Sequence, residues 1–149
     1  MRIALILIFF LYTSCGYEPL YVNKNNNKFK FQEVKLEGNT NLSKKIRSRL
    51  SLEELISDKN LNKLIIKSSS KKTEASKDSK GRVTSYRIYI NIDLIINNTN
   101  NKTVRSKLFS KDFLYNVDDD NLKTSEYQRN IENDLVNQII KEIIVYLNL

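Results

Sequence analysis

The stretch Tyr86-Arg87-Ile88-Tyr89-Ile90-Asn91-Ile92-Asp93-Leu94-Ile95-Ile96 decides the fold. Large apolar residues fill its even positions, while Arg87, Asn91 and Asp93 fall on odd ones. Successive side chains of a strand point to opposite faces of a sheet. Alternation over this length therefore predicts a strand with one buried face and one solvated face.

The flanking sequence predicts three further strands. A polar run at 97–101 is typical of a turn, so residues 103–117 form a partner strand in a long β-hairpin. Upstream, Leu64-Ile65-Ile66 predicts a short strand, and residues 68–81 contain no large apolar residue. We interpret 68–81 as either a mobile polar loop or a solvated strand extension. Residues 29–37 predict a first strand whose alternation slips, which a bulge or a late start would explain.

Two segments have the four-residue spacing of amphipathic helices. Leu42, Ile46 and Leu50 predict a helix with a basic outer face, and a capping box at Ser51 and Glu54 predicts that the helix restarts beyond it. The C-terminal segment predicts a helix of about six turns with a cap at Thr124 or Ser125. Its apolar residues recur at every fourth position: Tyr127, Ile131, Leu135, Ile139, Ile143 and Leu147.

The order strand, helix, strand, strand, strand, helix predicts an α+β fold. We expect a two-layer sandwich in which a mixed four-stranded sheet is covered by two helices, forming a single domain over 29–149. The first helix connects the first two strands as a crossover, which allows them to lie parallel with a right-handed connection.

Composition excludes several kinds of chemistry. The 149-residue chain carries a net charge of +8, has no His and has a single Cys. Ser-His-Asp and Cys-His nucleophiles require His, and the common zinc sites require several His or Cys ligands. Residues 118–120 are Asp-Asp-Asp but lack the Gly and closing Glu of a calcium loop, so we interpret them as a polar loop. We therefore expect no enzyme activity, no metal and no cofactor.

The N-terminus has the pattern of a targeting signal. Arg2 is followed by an apolar run over 3–12, which is too short to span a bilayer as a helix. The run ends in Leu11-Tyr12-Thr13-Ser14-Cys15, which is similar to a bacterial lipobox. We predict a signal peptide at 1–14, lipidation of Cys15, as by palmitate, and a tether at 15–28; the alternative is a secreted protein with a leftover thiol. Gly16 follows the Cys, so the outer membrane is the expected location.

Two motifs carry a family resemblance. Cys15-Gly16-Tyr17-Glu18-Pro19-Leu20-Tyr21 after the lipobox, and Asp112-Phe113-Leu114-Tyr115-Asn116 before an acidic loop and a long final helix, resemble the LPS-assembly lipoprotein family, LptE. The resemblance implies a lipid-anchored plug on the periplasmic face, held in a one-to-one complex inside an LptD-type outer-membrane β-barrel that inserts lipopolysaccharide into the outer leaflet. Tyr12 departs from the Leu usual at that lipobox position.

A basic segment is the candidate ligand site. Lysine and arginine side chains pair with phosphates, which lipopolysaccharide carries, so we predict phosphate contacts in this segment. The alternative is a solvated lysine-rich segment. An exported lipoprotein does not meet nucleic acid. The competing functions are an auxiliary lipoprotein of an ABC-type lipid transport system and a hydrolase, which the composition disfavours. The candidate contacts are Lys71, Lys72, Lys77, Lys80 and Arg82.

Overall fold

The computed structural model describes residues 28–118 and 120–149. The predicted signal peptide, Cys15 and residues 15–27 of the tether lie outside the described residues. None of the helices in the described part is long and apolar enough to cross a membrane. The elements are β1 Phe29–Phe31, β2 Glu33–Gly38, α1 Thr40–Arg49, β3 Leu52–Glu54, β4 Lys63–Lys77, β5 Val83–Asn97, β6 Thr103–Asn116 and α2 Asn121–Leu147.

The main sheet has the strand order β2-β4-β5-β6. β2 pairs with β4 in parallel, and the β4–β5 and β5–β6 pairs are antiparallel. Both helices pack on one face of this mixed sheet, and α1 is the crossover between its parallel strands. The predicted α+β fold with a mixed four-stranded sheet and two helices is confirmed. A separate two-stranded parallel sheet, β1 with β3, was not predicted.

The core lies between the sheet and the helices. Ile90 of β5 is 1% exposed and Ile139 of α2 is 0% exposed, so strand and helix meet as the alternation and the four-residue spacing predict. α1 covers β2 and β4, while α2 covers β5 and β6. The other face of the sheet has no helix over it within the part of the chain that the structure describes.

The first predicted strand is two strands with a break at Gln32. The Gln32 N–H donates to the Asn62 carbonyl at 2.9 Å, which ties the break to the entrance of β4. β1 then pairs with β3 and β2 with β4, so the slipped alternation reflects a change of sheet. β2 ends at Gly38, whose φ is +79°.

The predicted helix restart after Ser51 is wrong. The Leu50 N–H bonds back to Ile46 at 3.1 Å and closes α1, and Ser51 then takes a φ of +50° that turns the chain away. Residues Leu52–Glu54 form β3, because the backbone of β1 offers hydrogen bonds to them there. The Glu54 carboxylate accepts from the Val34 N–H at 3.1 Å rather than capping a helix.

The predicted caps of the last helix are also wrong. Asp120 is the N-cap, since its Oδ1 accepts from the Leu122 N–H at 2.8 Å and the Lys123 N–H at 3.4 Å. The Thr124 hydroxyl instead accepts from the Asp118 N–H at 3.0 Å, which holds the preceding loop against the first turn. The helix therefore begins several residues earlier than the apolar spacing suggests.

Candidate anion-binding surface

The basic segment forms the outer half of a β-hairpin. Strand β4 continues to Lys77 and stays paired with β5, with irregular register only beyond Glu74. Serine, threonine and lysine side chains are tolerated there because backbone hydrogen bonds, not side-chain burial, hold the strand. The solvated strand extension is confirmed over 68–77, and residues 78–81 belong to the turn that follows.

Asp78 organises the hairpin tip, the turn over residues 78–82. Its Oδ1 accepts from the N–H groups of Lys80 and Arg82, both at 2.9 Å, and its Oδ2 accepts from Arg82 Nε at 2.8 Å. Gly81 supplies the positive φ, +79°, that the turn requires. The hydrogen bonds from Arg82, first from its backbone and then from its guanidinium, lower the pKa of Asp78.

Two of the five candidate cations are already paired with carboxylates. Lys77 Nζ lies 2.8 Å from Glu74 Oε2, and this bond raises the pKa of Lys77. The Arg82 guanidinium is held by Asp78 in the same way. A phosphate would have to compete with these carboxylates, so Lys77 and Arg82 are the weaker candidates.

The other three cations are placed differently from one another. Lys71 is opposite Tyr89 in the pairing and lies on the uncovered face of the sheet. Lys72 lies on the helix side, with Nζ 3.1 Å from Gln128 Oε1 and 4.6 Å from the Tyr86 ring centroid. Lys80 is exposed in the tip. Among the described residues, none of the three is paired with a carboxylate.

The tip lies far from the N-terminal end of the domain. β2 runs parallel to β4 and begins opposite Lys63, the first residue of β4. Strand β4 has 15 residues, so at about 3.3 Å per residue the tip is roughly 45 Å from that end. The five cations therefore lie along the outer part of one hairpin, on both of its faces, and do not surround a single point.

A polar groove between the two helices adjoins Lys72. The Tyr115 hydroxyl donates to Gln128 Oε1 at 3.1 Å, and Gln128 Nε2 donates to Glu132 Oε1 at 2.9 Å. Glu132, Lys45 and Ser70 line the groove, whose volume is ≈ 240 Å³. Burial lowers the pKa of Lys45, and its amine bonds an α2 amide oxygen. No single sequence motif predicts this groove, because its lining comes from α1, β4, β5 and α2.

The basic face of α1 connects structural elements. Lys45 donates to Asn133 of α2, and Arg49 donates to Asn137 one turn further along. Arg47 lies 3.1 Å from the Glu54 carboxylate, which in turn accepts from the edge of β2. These cations form hydrogen bonds and an ion pair within the domain. Their contacts account for the basic residues of α1 without a ligand.

A second cationic cluster lies between β6 and the end of α2, where the charge runs of the sequence do not predict one. The Arg105 guanidinium lies 4.4 Å from the Tyr146 ring centroid, and Lys107 Nζ lies 5.5 Å from the same centroid. Lys107 and Lys141 line a groove of ≈ 290 Å³ between β6 and the end of α2. One feature of the sequence does indicate this cluster: Lys107 and Lys111 lie on the same face of β6 as Phe109. A strand in the middle of a sheet would carry apolar residues at those two positions.

The aromatic residues of β5 and β6 are divided between the core and the surface. Phe109 and Tyr115 are buried, and Tyr86 is half-buried against Tyr115 at a centroid distance of 6.0 Å. Tyr89 and Phe113 are exposed, by 36% and 42%.

The fold is that of several solved bacterial lipoproteins. The rare lipoprotein B from Shewanella oneidensis superposes with a TM-score of 0.60 at 13% identity, covering 78% of this chain and 93% of that one. A minor lipoprotein from Acinetobacter baumannii superposes with a TM-score of 0.56 at 11% identity, covering 80% and 92%. No family model and no curated protein matches the sequence. At these identities the likeness shows the shared fold, which extends over nearly the whole of both solved domains.

Proposed function

We propose that this chain is a lipid-anchored lipoprotein of the outer membrane, attached through Cys15 on the periplasmic face. In this proposal its α+β domain plugs an LptD-type β-barrel and assists the insertion of lipopolysaccharide into the outer leaflet. The observation that carries the proposal is the two-helix, four-stranded fold shared with structures named as lipoproteins, in a chain whose single Cys stands where a lipobox requires it.

The anchor argument is chemical. A lipoprotein Cys bears several acyl chains, and each buried methylene contributes about 0.8 kcal/mol, so the attachment is lasting. The LptE-like sequence Cys15 to Tyr21 leads through residues 22–28 to β1 at one end of the sheet. The domain would thus be attached at that end, with the hairpin tip free to meet a ligand roughly 45 Å away.

The phosphate argument now rests on three lysines. Lys71, Lys72 and Lys80 have no carboxylate partner within the described ranges, so a lipid phosphate could pair with each without displacing one. These lysines are exposed, so salt screens their electrostatic attraction for a phosphate within about 8 Å at physiological ionic strength. Binding through them should therefore weaken as salt rises.

The test is a charge reversal of the three unpaired lysines in the full chain, Lys71→Glu, Lys72→Glu and Lys80→Glu together. We expect purified lipopolysaccharide to bind at least tenfold more weakly at low salt, with the difference shrinking at 0.5 M salt. The fold should survive, because none of these side chains belongs to the apolar core. Circular dichroism and the urea midpoint check this.

The matched control reverses three other exposed lysines, Lys30, Lys59 and Lys102, which lie away from the hairpin tip. Both triple variants change the net charge by the same amount, so only the placement of charge differs. Equal affinity of the two variants for lipopolysaccharide would contradict the assignment of the phosphate contacts to the hairpin. Loss of barrel assembly with unchanged lipid affinity would instead make the hairpin a docking element.

A further inference from the structure

The two edge strands of the main sheet, β2 and β6, differ in whether anything bonds to their outer backbone groups. At the edge of β2, one backbone donor is satisfied by a side chain, since the Glu54 carboxylate accepts from the Val34 N–H at 3.1 Å and is itself held by Arg47. The edge at β6 is 14 residues long, contains no Pro or Gly, and has no strand or side chain bonded along it in the described part of the chain. Long open edges of this kind pair with other chains unless charges, bulges or Pro protect them, and the charges of β6, including Lys107 and Lys111, act against strands that are themselves basic.

The direction of the β6 backbone groups follows from the hairpin. The Val117 N–H donates to the Thr84 carbonyl at 3.0 Å, and with the β5–β6 register this assigns the β5-directed bonds to the odd-numbered residues of β6. The even-numbered residues therefore direct their N–H and C=O groups to the free edge. These residues are Ser106, Leu108, Ser110, Asp112 and Leu114.

The side chains along this edge differ in chemistry on the two faces. On the uncovered face, Leu108 and Leu114 are 62% and 46% exposed. On the helix side, Lys107, Lys141 and Glu142 line the groove beside Tyr146. Glu142 is paired with Lys111 at 2.5 Å, whereas Lys107 and Lys141 have no carboxylate partner within the described residues. An added strand would thus meet Leu108 and Leu114 on one face, with Ser110 and the Arg87-paired Asp112 between them, and the ammonium groups of Lys107 and Lys141 on the other.

We propose that the edge of β6 is a docking site for an extended, acidic segment of a partner protein, which adds a fifth strand to the sheet. A segment of roughly nine residues would pair with Ser106 to Leu114. Its alternate side chains would be acidic towards Lys107 and Lys141 and apolar towards Leu108 and Leu114. This proposal does not depend on the lipid role proposed above.

A second copy of this chain is a poorer occupant. Antiparallel self-pairing about Phe109, with the helices on one side, would set Lys107 of each copy opposite Lys111 of the other. Like charges directly opposite each other destabilise a strand pair. Lys107 and Lys141, which have no carboxylate partner within the described residues, therefore favour an acidic partner strand over a second copy of β6.

The test measures binding of a labelled nine-residue peptide, with Glu and Val alternating, to the full chain in detergent by fluorescence anisotropy. Ser110→Pro removes an edge N–H that β5 does not use, and Ser110→Ala is the matched control. Both variants lose the hydroxyl that bonds Asn91 at 2.6 Å, but only the Pro variant loses the donor. We expect Ser110→Pro to bind at least tenfold more weakly and Ser110→Ala to bind like the native chain.

Charge gives a second readout that does not require the Pro variant to fold. The native chain should prefer the Glu peptide over the same peptide with Lys at least tenfold, and Lys107→Glu with Lys141→Glu should reverse that preference. Equal binding of both peptides, or equal binding by the Pro and Ala variants when both are folded, would overturn the proposal. So would a dimer in sedimentation that Ser110→Pro dissociates, because the edge would then pair with itself.

Discussion

Gly38→Ala should be among the most destabilising single-methyl additions in this domain. Gly38 ends β2 with a φ of +79°, and a Cβ there would lie 2.2 Å from the carbonyl oxygen of Ser68. That oxygen belongs to the strand paired with β2 and accepts the Asn39 N–H at 2.8 Å. The clash involves backbone atoms on both sides, so it cannot be relieved by a rotamer change. It must separate the parallel strands or break the hydrogen bond that holds Asn39, the N-cap of α1, against β4.

Gly81→Ala is the matched control, because Gly81 has the same φ of +79° but nothing within 4 Å of its added Cβ. Both variants lose about 1–2 kcal/mol for a side chain in the left-handed region. Gly38→Ala should lose a further 1–3 kcal/mol for overpacking and about 1 kcal/mol for the hydrogen bond. We therefore expect urea unfolding to show the Gly38 variant about 2–4 kcal/mol less stable than the Gly81 variant. A difference below about 0.5 kcal/mol would refute the close approach of β2 and β4.

Three further predictions address the core, the hairpin tip and the anchor. Ile139→Ala removes a fully buried side chain and should cost about 2–5 kcal/mol in urea unfolding, whereas Val145→Ala, at a half-exposed position of the same helix, should cost less than about 1 kcal/mol; equal costs would contradict the layer assignment. Because the pKa of Asp78 is lowered, the tip hydrogen bonds should persist below the ordinary Asp pKa of 3.8 and be lost only as the pH falls through the lower folded value; amide chemical shifts of Lys80 and Arg82 that titrate at or above 3.8 would contradict this. Cys15→Ala should abolish acylation and cleavage by the lipoprotein route; a variant still processed after residue 14 and still found with the outer membrane would disprove the lipobox.

The sequence predicts the fold best where one face is buried. The alternation in β5 and the four-residue spacing in α2 both come from contact with the same core, so the two patterns identify the facing layers. Residues such as Ser70 and Lys72 have no such signal. They are in a strand because β5 provides backbone partners, and backbone pairing leaves no trace in side-chain chemistry. The apolar pattern therefore predicts only the first part of β4, which continues to Lys77.

Competing local signals explain the errors at the element ends. Ser51 and Glu54 fit a capping box, yet Glu54 bonds the Val34 N–H, 20 residues away in the chain. The run Asp118 to Asp120 predicts a polar loop, yet its last carboxylate stands just before a helix, which is a good N-cap position. The candidate cations could be named from composition alone, but their separation onto two faces and their pairing with Glu74 and Asp78 depend on the register of the hairpin.

Co-purification from detergent-solubilised envelope tests the proposed function most directly. The full chain, tagged at its C-terminus, should retain one large outer-membrane β-barrel protein in a one-to-one ratio, measured by mass spectrometry and quantitative gel staining. The control is the same tag on the Cys15→Ala variant, which should recover less barrel because it is not anchored in the same membrane. Recovery of ABC-type transporter subunits in place of a barrel would contradict the proposal and support the auxiliary transport role.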